Sequence, residues 1–324
     1  MSLKLIEYRQ LIQIIIMFMI VQFFGLFLAV ESFSGLTYQQ VQSAQAVSSI
    51  SSALFYFAYI VIVAVILLFI MKYYRGLMIL KVLEGVTILI GAFYVFLIIL
   101  SSVNISLFSG SLPLGIGMSI AAAAILVVAK NRFPQLKNFT TVLVSAGVGV
   151  VLGISFGFAM AFIFMALVAV YDFIAVFVTK HMITLGNYVM QNNLAFMIDT
   201  TEAVAVPKSS LNAEQLSLYN KNRKQIMASI PHGVQQKGMI SLPSSSGLGA
   251  GDLAMPLMLE VSAFNVFSSF TFSIVIILGS ILGILIAMFV LKKYHRALPA
   301  ITFLLFGDCI AILIFFLAVG VVHL

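Results

Sequence analysis

Charge is what this sequence has least of. Only 8% of its 324 residues are Asp, Glu, Lys or Arg, against about 25% in a soluble globular chain. That deficit, beside a hydrophobic share of 62%, excludes a water-soluble domain, a disordered chain and a nucleic-acid module. Cysteine is nearly absent as well. Its one copy, Cys309, lies in an apolar run, which excludes an intramolecular disulfide and a cysteine metal cluster. No His-Glu-x-x-His pair for zinc occurs, and His181, His232, His295 and His323 are scattered over loops and the terminus. A Gly-x-Ser-x-Gly nucleophile turn and a phosphate-binding loop are also missing, and nothing calls for a metal or a cofactor. Nor does the chain show a cleavable leader. Its first apolar run, 11–30, has spanning length without a small-residue cleavage pattern and reads as a transmembrane helix.

What is present is apolar length. A span needs about 20 mostly apolar residues, and runs of that length fall at 11–30, 53–71, 82–101, 111–129, 270–291 and 297–322. The stretch 139–179 has one charge, Asp172, and accommodates two helices joined near Gly153, Ser155 and Gly157. A ninth run, 247–267, carries Asp252, Pro256 and Glu260. The expected fold is an all-α integral membrane protein with nine transmembrane helices. The seventeen Lys and Arg, which outnumber the ten Asp and Glu, then serve as a topology signal. All of them fall at the N-terminus or in alternate connections, and the connections around 31–52, 102–110, 153–157 and 261–269 hold none. By the positive-inside rule the N-terminus is cytoplasmic and the C-terminus outside. The chain divides into a six-helix part, 1–181, a polar cytoplasmic loop, 182–246, and a three-helix part, 247–324. Within the loop, 188–198 is apolar enough to lie on the membrane surface, and 203–206 and 239–242 are β-prone.

Acids within spans need a reason, because each costs at least about 2.5–3.5 kcal/mol to insert. Glu31, Glu84 and Glu260 lie near span ends, where a carboxylate reaches the interface or a pore. Asp308 lies deep in the last span and reads as a hydrated or hydrogen-bonded structural acid, with a proton-relay role as the alternative. Asp172 and Asp252 differ from these. Asp172 precedes Lys180 by about 12 Å of helix, and Asp252 lies about 8 Å into an antiparallel span, so both reach the cytoplasmic third. Two carboxyls side by side in low dielectric cannot both ionise and must share a proton. One can then act as general base on water while the other polarises a peptide carbonyl. The alternative reading of the spacing is two isolated, neutral structural aspartates packed against other helices. Gly249 and Gly251 remove side-chain bulk ahead of Asp252, so an extended substrate could approach the backbone there.

Tyr171-Asp172, Gly249-Ala250-Gly251-Asp252 and Ala297-Leu298-Pro299 resemble the three signatures of the presenilin and signal peptide peptidase family, the GxGD intramembrane aspartyl proteases. The likeness covers the whole nine-span layout. It implies that Asp172 and Asp252 are the catalytic pair, that Tyr171 lines the site, and that Gly249 and Gly251 admit the substrate backbone. By the same likeness, Ala297, Leu298 and Pro299 form a turn that packs against the site. Arg296 stands where the family motif has a first proline. Presenilins and signal peptide peptidases run their spans in opposite senses and take substrates of opposite orientation, and the cytoplasmic N-terminus is the presenilin sense.

Two functions of different class compete. The first is hydrolysis of transmembrane protein or peptide substrates inside the lipid bilayer of a cell membrane or endomembrane. The second is a proton- or cation-coupled transporter or leak channel built on intramembrane carboxylates. An odd span count gives the second no paired halves. The sequence names no accessory subunit and no oligomeric state.

Overall fold

No water is available inside a bilayer to satisfy a backbone N–H or C=O, so an apolar run that enters one must pair its own backbone as a helix. The computed structural model describes residues 2–34, 49–52, 54–59, 62, 77–102, 112–179, 181–207, 239–294 and 298–322. Helices α1 (Ser2–Ser34), α2 (Leu77–Ser102), α3 (Leu112–Arg132), α4 (Lys137–Ser155) and α5 (Phe158–Phe173) come first. There follow α6 (His181–Gln191), strands β1 (Met197–Pro207) and β2 (Met239–Gly249), and helices α7 (Ala250–Phe267), α8 (Phe270–Tyr294) and α9 (Ala300–Val322). The two strands pair in a two-stranded sheet that includes the β-prone residues 203–206 and 239–242.

Among the described residues, seven helical stretches are long and apolar enough to cross a membrane: Arg9–Phe33, Met78–Ser102, Leu114–Arg132, Pro134–Ser155, Phe158–Val178, Phe270–Leu291 and Ala300–Ala318. Ile125 and Val128 on α3 and Phe289 on α8 stay exposed, as side chains facing lipid do. The expected span at 53–71 lies largely outside the described residues; a short apolar helix, Ile50–Tyr59, covers its start. The expected span at 247–267 falls on helix α7, which carries Asp252, Glu260 and Asn265 and is not among those seven stretches.

The chain forms two compact units. The smaller, Met1–Ile16 with Asp199–Leu248, holds the first turns of α1 and most of both strands. The larger is Met17–Ile198 with Gly249–Leu324. Inside it α7 packs against α4, α5, α8 and α9, and α2 packs against α3 and α4. Helix α7, with Asp252 and Glu260, is therefore wrapped by protein, which keeps both acids from lipid.

Small residues set how closely these helices approach, since apolar side chains gain little by leaving lipid for protein. A Cβ on Gly149 or Gly153 would strike Leu257 or Val261 of α7, so α4 and α7 touch through those glycines. Gly153 was expected in the connection between two spans, but it is a packing residue inside α4. The reversal occurs at Phe156 and Gly157, both with extended backbone at negative φ that any residue adopts. Gly279 and Gly283 of α8 meet Gly307 and the Phe303–Leu304 backbone of α9 in the same manner. On Gly283 a Cβ would come within 2.7 Å of the Leu304 Cα, whereas on Gly115 of α3 it would meet nothing within 4 Å. Gly283→Ala is expected to destabilise by about 1–3 kcal/mol and Gly115→Ala to stabilise slightly, as measured by thermal unfolding in detergent. An unchanged midpoint for Gly283→Ala would contradict the packing.

Three expectations need correction. Glu84 is not at an interface: it is 2% exposed and forms an ion pair with Lys130, itself 5% exposed. Glu260 is fully buried too, next to Asp308, because α7 runs through the middle of its neighbours. The apolar stretch 188–198 is partly buried in protein, which the membrane-surface expectation left out. Val189 and Leu194 bury against Leu80 of α2, since the end of α6 folds back onto the helices.

Candidate active site

Asp172 is the penultimate residue of α5, after which the helix widens into a π turn over Ile174–Val178, closed by the Thr179 N–H on the Ile174 carbonyl at 3.0 Å. Such wide turns are rare and recur at functional positions. The Asp172 side chain is buried. It accepts the backbone N–H of Ile301, and its Oδ2 has no hydrogen-bond partner among the described residues. Ile301 is the second residue of α9, so its N–H is one of the four that a helix leaves unpaired at its start. The Thr302 hydroxyl donates to the Ala169 carbonyl at 3.0 Å, one turn before Asp172. The first turn of α9 is thus stitched to α5 by one side chain and aimed at Asp172 through one backbone donor.

This gives the third expected motif a physical role. Pro299 is buried and Leu298 half-buried directly ahead of α9, while Ala297 lies outside the described residues. Proline fixes φ and cannot donate, which defines where the helix begins and leaves the next donors pointing outward.

Asp252 is the third residue of α7, and its Oδ2 accepts the Gly249 N–H at 3.0 Å, capping the helix from within. A Cβ on Gly249 would come within 3.1 Å of that same oxygen, so this glycine is small because the carboxylate folds back over it. Gly251 is different: it is exposed, and a Cβ there would meet nothing within 4 Å. Open space in front of Gly251, beside a half-buried Asp252, can receive another chain. Four residues on, Pro256 lacks the N–H that would pair the Asp252 carbonyl. Gln22 of α1 donates to the neighbouring Leu253 carbonyl at 3.2 Å.

The two aspartates come together. α5 packs against α7, and the charge of Asp172 bears directly on Asp252. Tyr171 is half-buried within the field of Asp172. Two carboxyls, each held by one backbone N–H, with open space in front of the nearby Gly251, can position a water and a carbonyl between them. A second buried acid cluster lies further along. Ser280 donates to Asp308 Oδ1 at 2.6 Å, and both oxygens of the nearby Glu260 lack a hydrogen-bond partner among the described residues. Asp308 is therefore hydrogen-bonded through Oδ1, while its Oδ2 lacks a partner among the described residues. Among the described residues no group of three or more His, Cys, Asp or Glu is arranged to hold a metal ion.

Sequence reasoning missed Gln22, Thr302 and the Ile301 N–H. The first two were visible only as polar side chains in apolar runs, and a backbone donor leaves no mark in a sequence.

A family model described as signal-peptide peptidase, presenilin aspartyl protease matches residues 15–321. Among solved structures, a presenilin family intramembrane aspartate protease in a C222 crystal form is similar, with a TM-score of 0.58 and 20% identity over 94% of this chain and 97% of that one. The P2 form of such a protease gives a TM-score of 0.56 and 19% identity over 93% and 97%. At these identities the likeness is one of fold. No curated protein matches the sequence.

Proposed function

The chain belongs to the signal-peptide peptidase and presenilin aspartyl protease family, and we propose that in this intramembrane protease Asp172 and Asp252 are the catalytic pair. The observation that carries the proposal is their meeting across α5 and α7, each carboxylate held by a backbone N–H, in front of the open space at Gly251. A proton shared by the pair leaves one carboxylate ionised. That carboxylate takes a proton from water as the hydroxyl adds to the scissile carbonyl carbon, while the protonated partner hydrogen-bonds the carbonyl oxygen. The tetrahedral intermediate collapses as the amide nitrogen accepts a proton and the C–N bond breaks. Tyr171 borders this space, Gly249 and Gly251 admit the substrate backbone, and the Ala297-Leu298-Pro299 motif acts through Leu298 and Pro299, which precede the α9 donor that holds Asp172.

Substrates are transmembrane segments of membrane proteins, cut within the bilayer. A helix must unwind before its amides are accessible, because helical backbone is already paired. The β1–β2 sheet offers strand edges that could take up an unwound segment. The nine-span layout and the cytoplasmic N-terminus rest on the distribution of basic residues, and they put the connection 182–246 in the cytoplasm. The transporter or leak-channel alternative has no support in the family match.

The test uses purified protein and a single-span substrate in detergent, with the product termini mapped. Cleavage is expected within the apolar segment, and mimics carrying a hydroxyl at the scissile position should block it by occupying the space between the carboxyls. The pH profile follows from one proton on two groups. Activity falls at low pH when the base is protonated and at high pH when the acid ionises, giving a bell whose two limbs belong to the pair. A profile with no alkaline limb, with no inhibition by such mimics, would sink the shared-proton mechanism.

A further inference from the structure

Glu84 and Lys130 form a buried ion pair between α2 and α3, away from the aspartates. Such a pair contributes little to stability on balance, since desolvation offsets the attraction, so its presence asks for another reason. The Glu84 carboxylate that binds Lys130 also accepts the backbone N–H of Ala195. Ala195 lies in the irregular segment after α6, which closes with Asn193 in the left-handed region at φ 53° and the Leu194 N–H on the Val189 carbonyl at 3.1 Å. One residue further, the Phe196 carbonyl accepts the Ala250 N–H at 2.8 Å. Ala250 is the first residue of α7, two before Asp252. Leu194 is anchored as well, against Leu80 one turn before Glu84.

We infer that Glu84, fixed by Lys130, is a positioning residue for Asp252, acting through the Ala195–Phe196 backbone on the start of α7. The inference rests on the assignment of Asp252 to catalysis. Its logic is geometric. The first N–H groups of a helix have no partner inside it, and whatever they bond to sets where the helix begins. The Ala250 N–H is bonded to Phe196, and the Gly249 N–H is bonded to Asp252 itself. Movement of the 194–196 segment therefore moves the backbone that carries the carboxylate. Misplacement by about 1 Å costs a catalytic group as much as a hundredfold in rate. Lys130 keeps Glu84 pointing at Ala195 and balances a charge that would otherwise be buried alone.

Removing one partner leaves an uncompensated charge and risks the fold, so both charges are removed together. Glu84→Gln with Lys130→Met keeps an amide oxygen that accepts the Ala195 N–H. Glu84→Met with Lys130→Met has nearly the same volume and no acceptor. The full chain is assayed on a single-span substrate in detergent, with kcat and KM determined separately and thermal midpoints recorded. The Met/Met variant is expected to fold, to keep KM, and to lose about tenfold to a hundredfold in kcat. Affinity for a hydroxyl-bearing mimic should fall by the same factor, and the Gln/Met variant should recover most of both. Wild-type kcat in a folded Met/Met variant overturns the inference. So does a Gln/Met variant that loses kcat although it retains the acceptor, an arm that decides even where Met/Met does not fold. Asp252→Asn run in parallel separates the two readings. Cleavage by that variant removes the catalytic assignment, whereas its inactivity beside a fully active Met/Met variant removes only the positioning role.

Discussion

Asp172→Asn and Asp252→Asn each reduce cleavage of a single-span substrate to background in a protein that remains folded. Both halves of that expected result follow from the site. The general base and the general acid are distinct groups, and removal of either forfeits at least about 10²–10⁴-fold. Asparagine retains an oxygen that can accept the Ile301 N–H in one case and the Gly249 N–H in the other, so the helix starts stay in place. It also removes a carboxylate from a buried setting, so the thermal midpoint should not drop. The measurements are product formation by mass spectrometry and a thermal midpoint in the same detergent. Substantial proteolysis by either variant, with contaminating proteases excluded, would break the assignment of the pair.

The second large effect concerns substrate direction. In the proposed topology, with the N-terminus cytoplasmic, α5 runs inward to Asp172 and α7 runs outward from Asp252. A substrate strand lying between them then has its N-terminus outside and its C-terminus in the cytoplasm. Single-span proteins of that orientation should be cut in the cytoplasmic third of their helix. Exchanging the basic flanks of a model substrate inverts its insertion and should abolish cutting in intact membranes. Shortening its outer domain should raise the rate, because bulk there obstructs lateral entry. Equal cutting of both orientations in sealed membranes would refute the proposed topology. Detergent assays do not bear on it, since they erase sidedness.

The sequence alone determined the environment and the chemistry. Apolar runs separated by basic clusters leave the helix as the only outlet, because lipid offers no partner to a bare backbone, and Arg9–Phe33, Phe270–Leu291 and their like follow directly. Asp172 and the Gly249–Asp252 run were legible for the same reason. A carboxylate in an apolar span is expensive enough to stand out, and the glycines before it mark a backbone kept bare.

Only the tertiary structure decided which polar groups meet. Depth could be counted along a single helix, but lateral position depends on which helices touch, and that is set by close approaches at residues such as Gly153 and Gly283. From spacing, Glu84 was an acid one turn from an interface and Lys130 one of seventeen topology markers. Packing of α2 on α3 turned them into a buried pair that reaches the Ala195 backbone. Glu260 went the same way, from a span end to a buried place within the field of Asp308, because α7 is enclosed by its neighbours. The donors that hold the two aspartates, at Ile301 and Gly249, are backbone N–H groups. Every residue but proline carries one, so no side-chain sequence distinguishes them, and only the start of a helix leaves them free to bind.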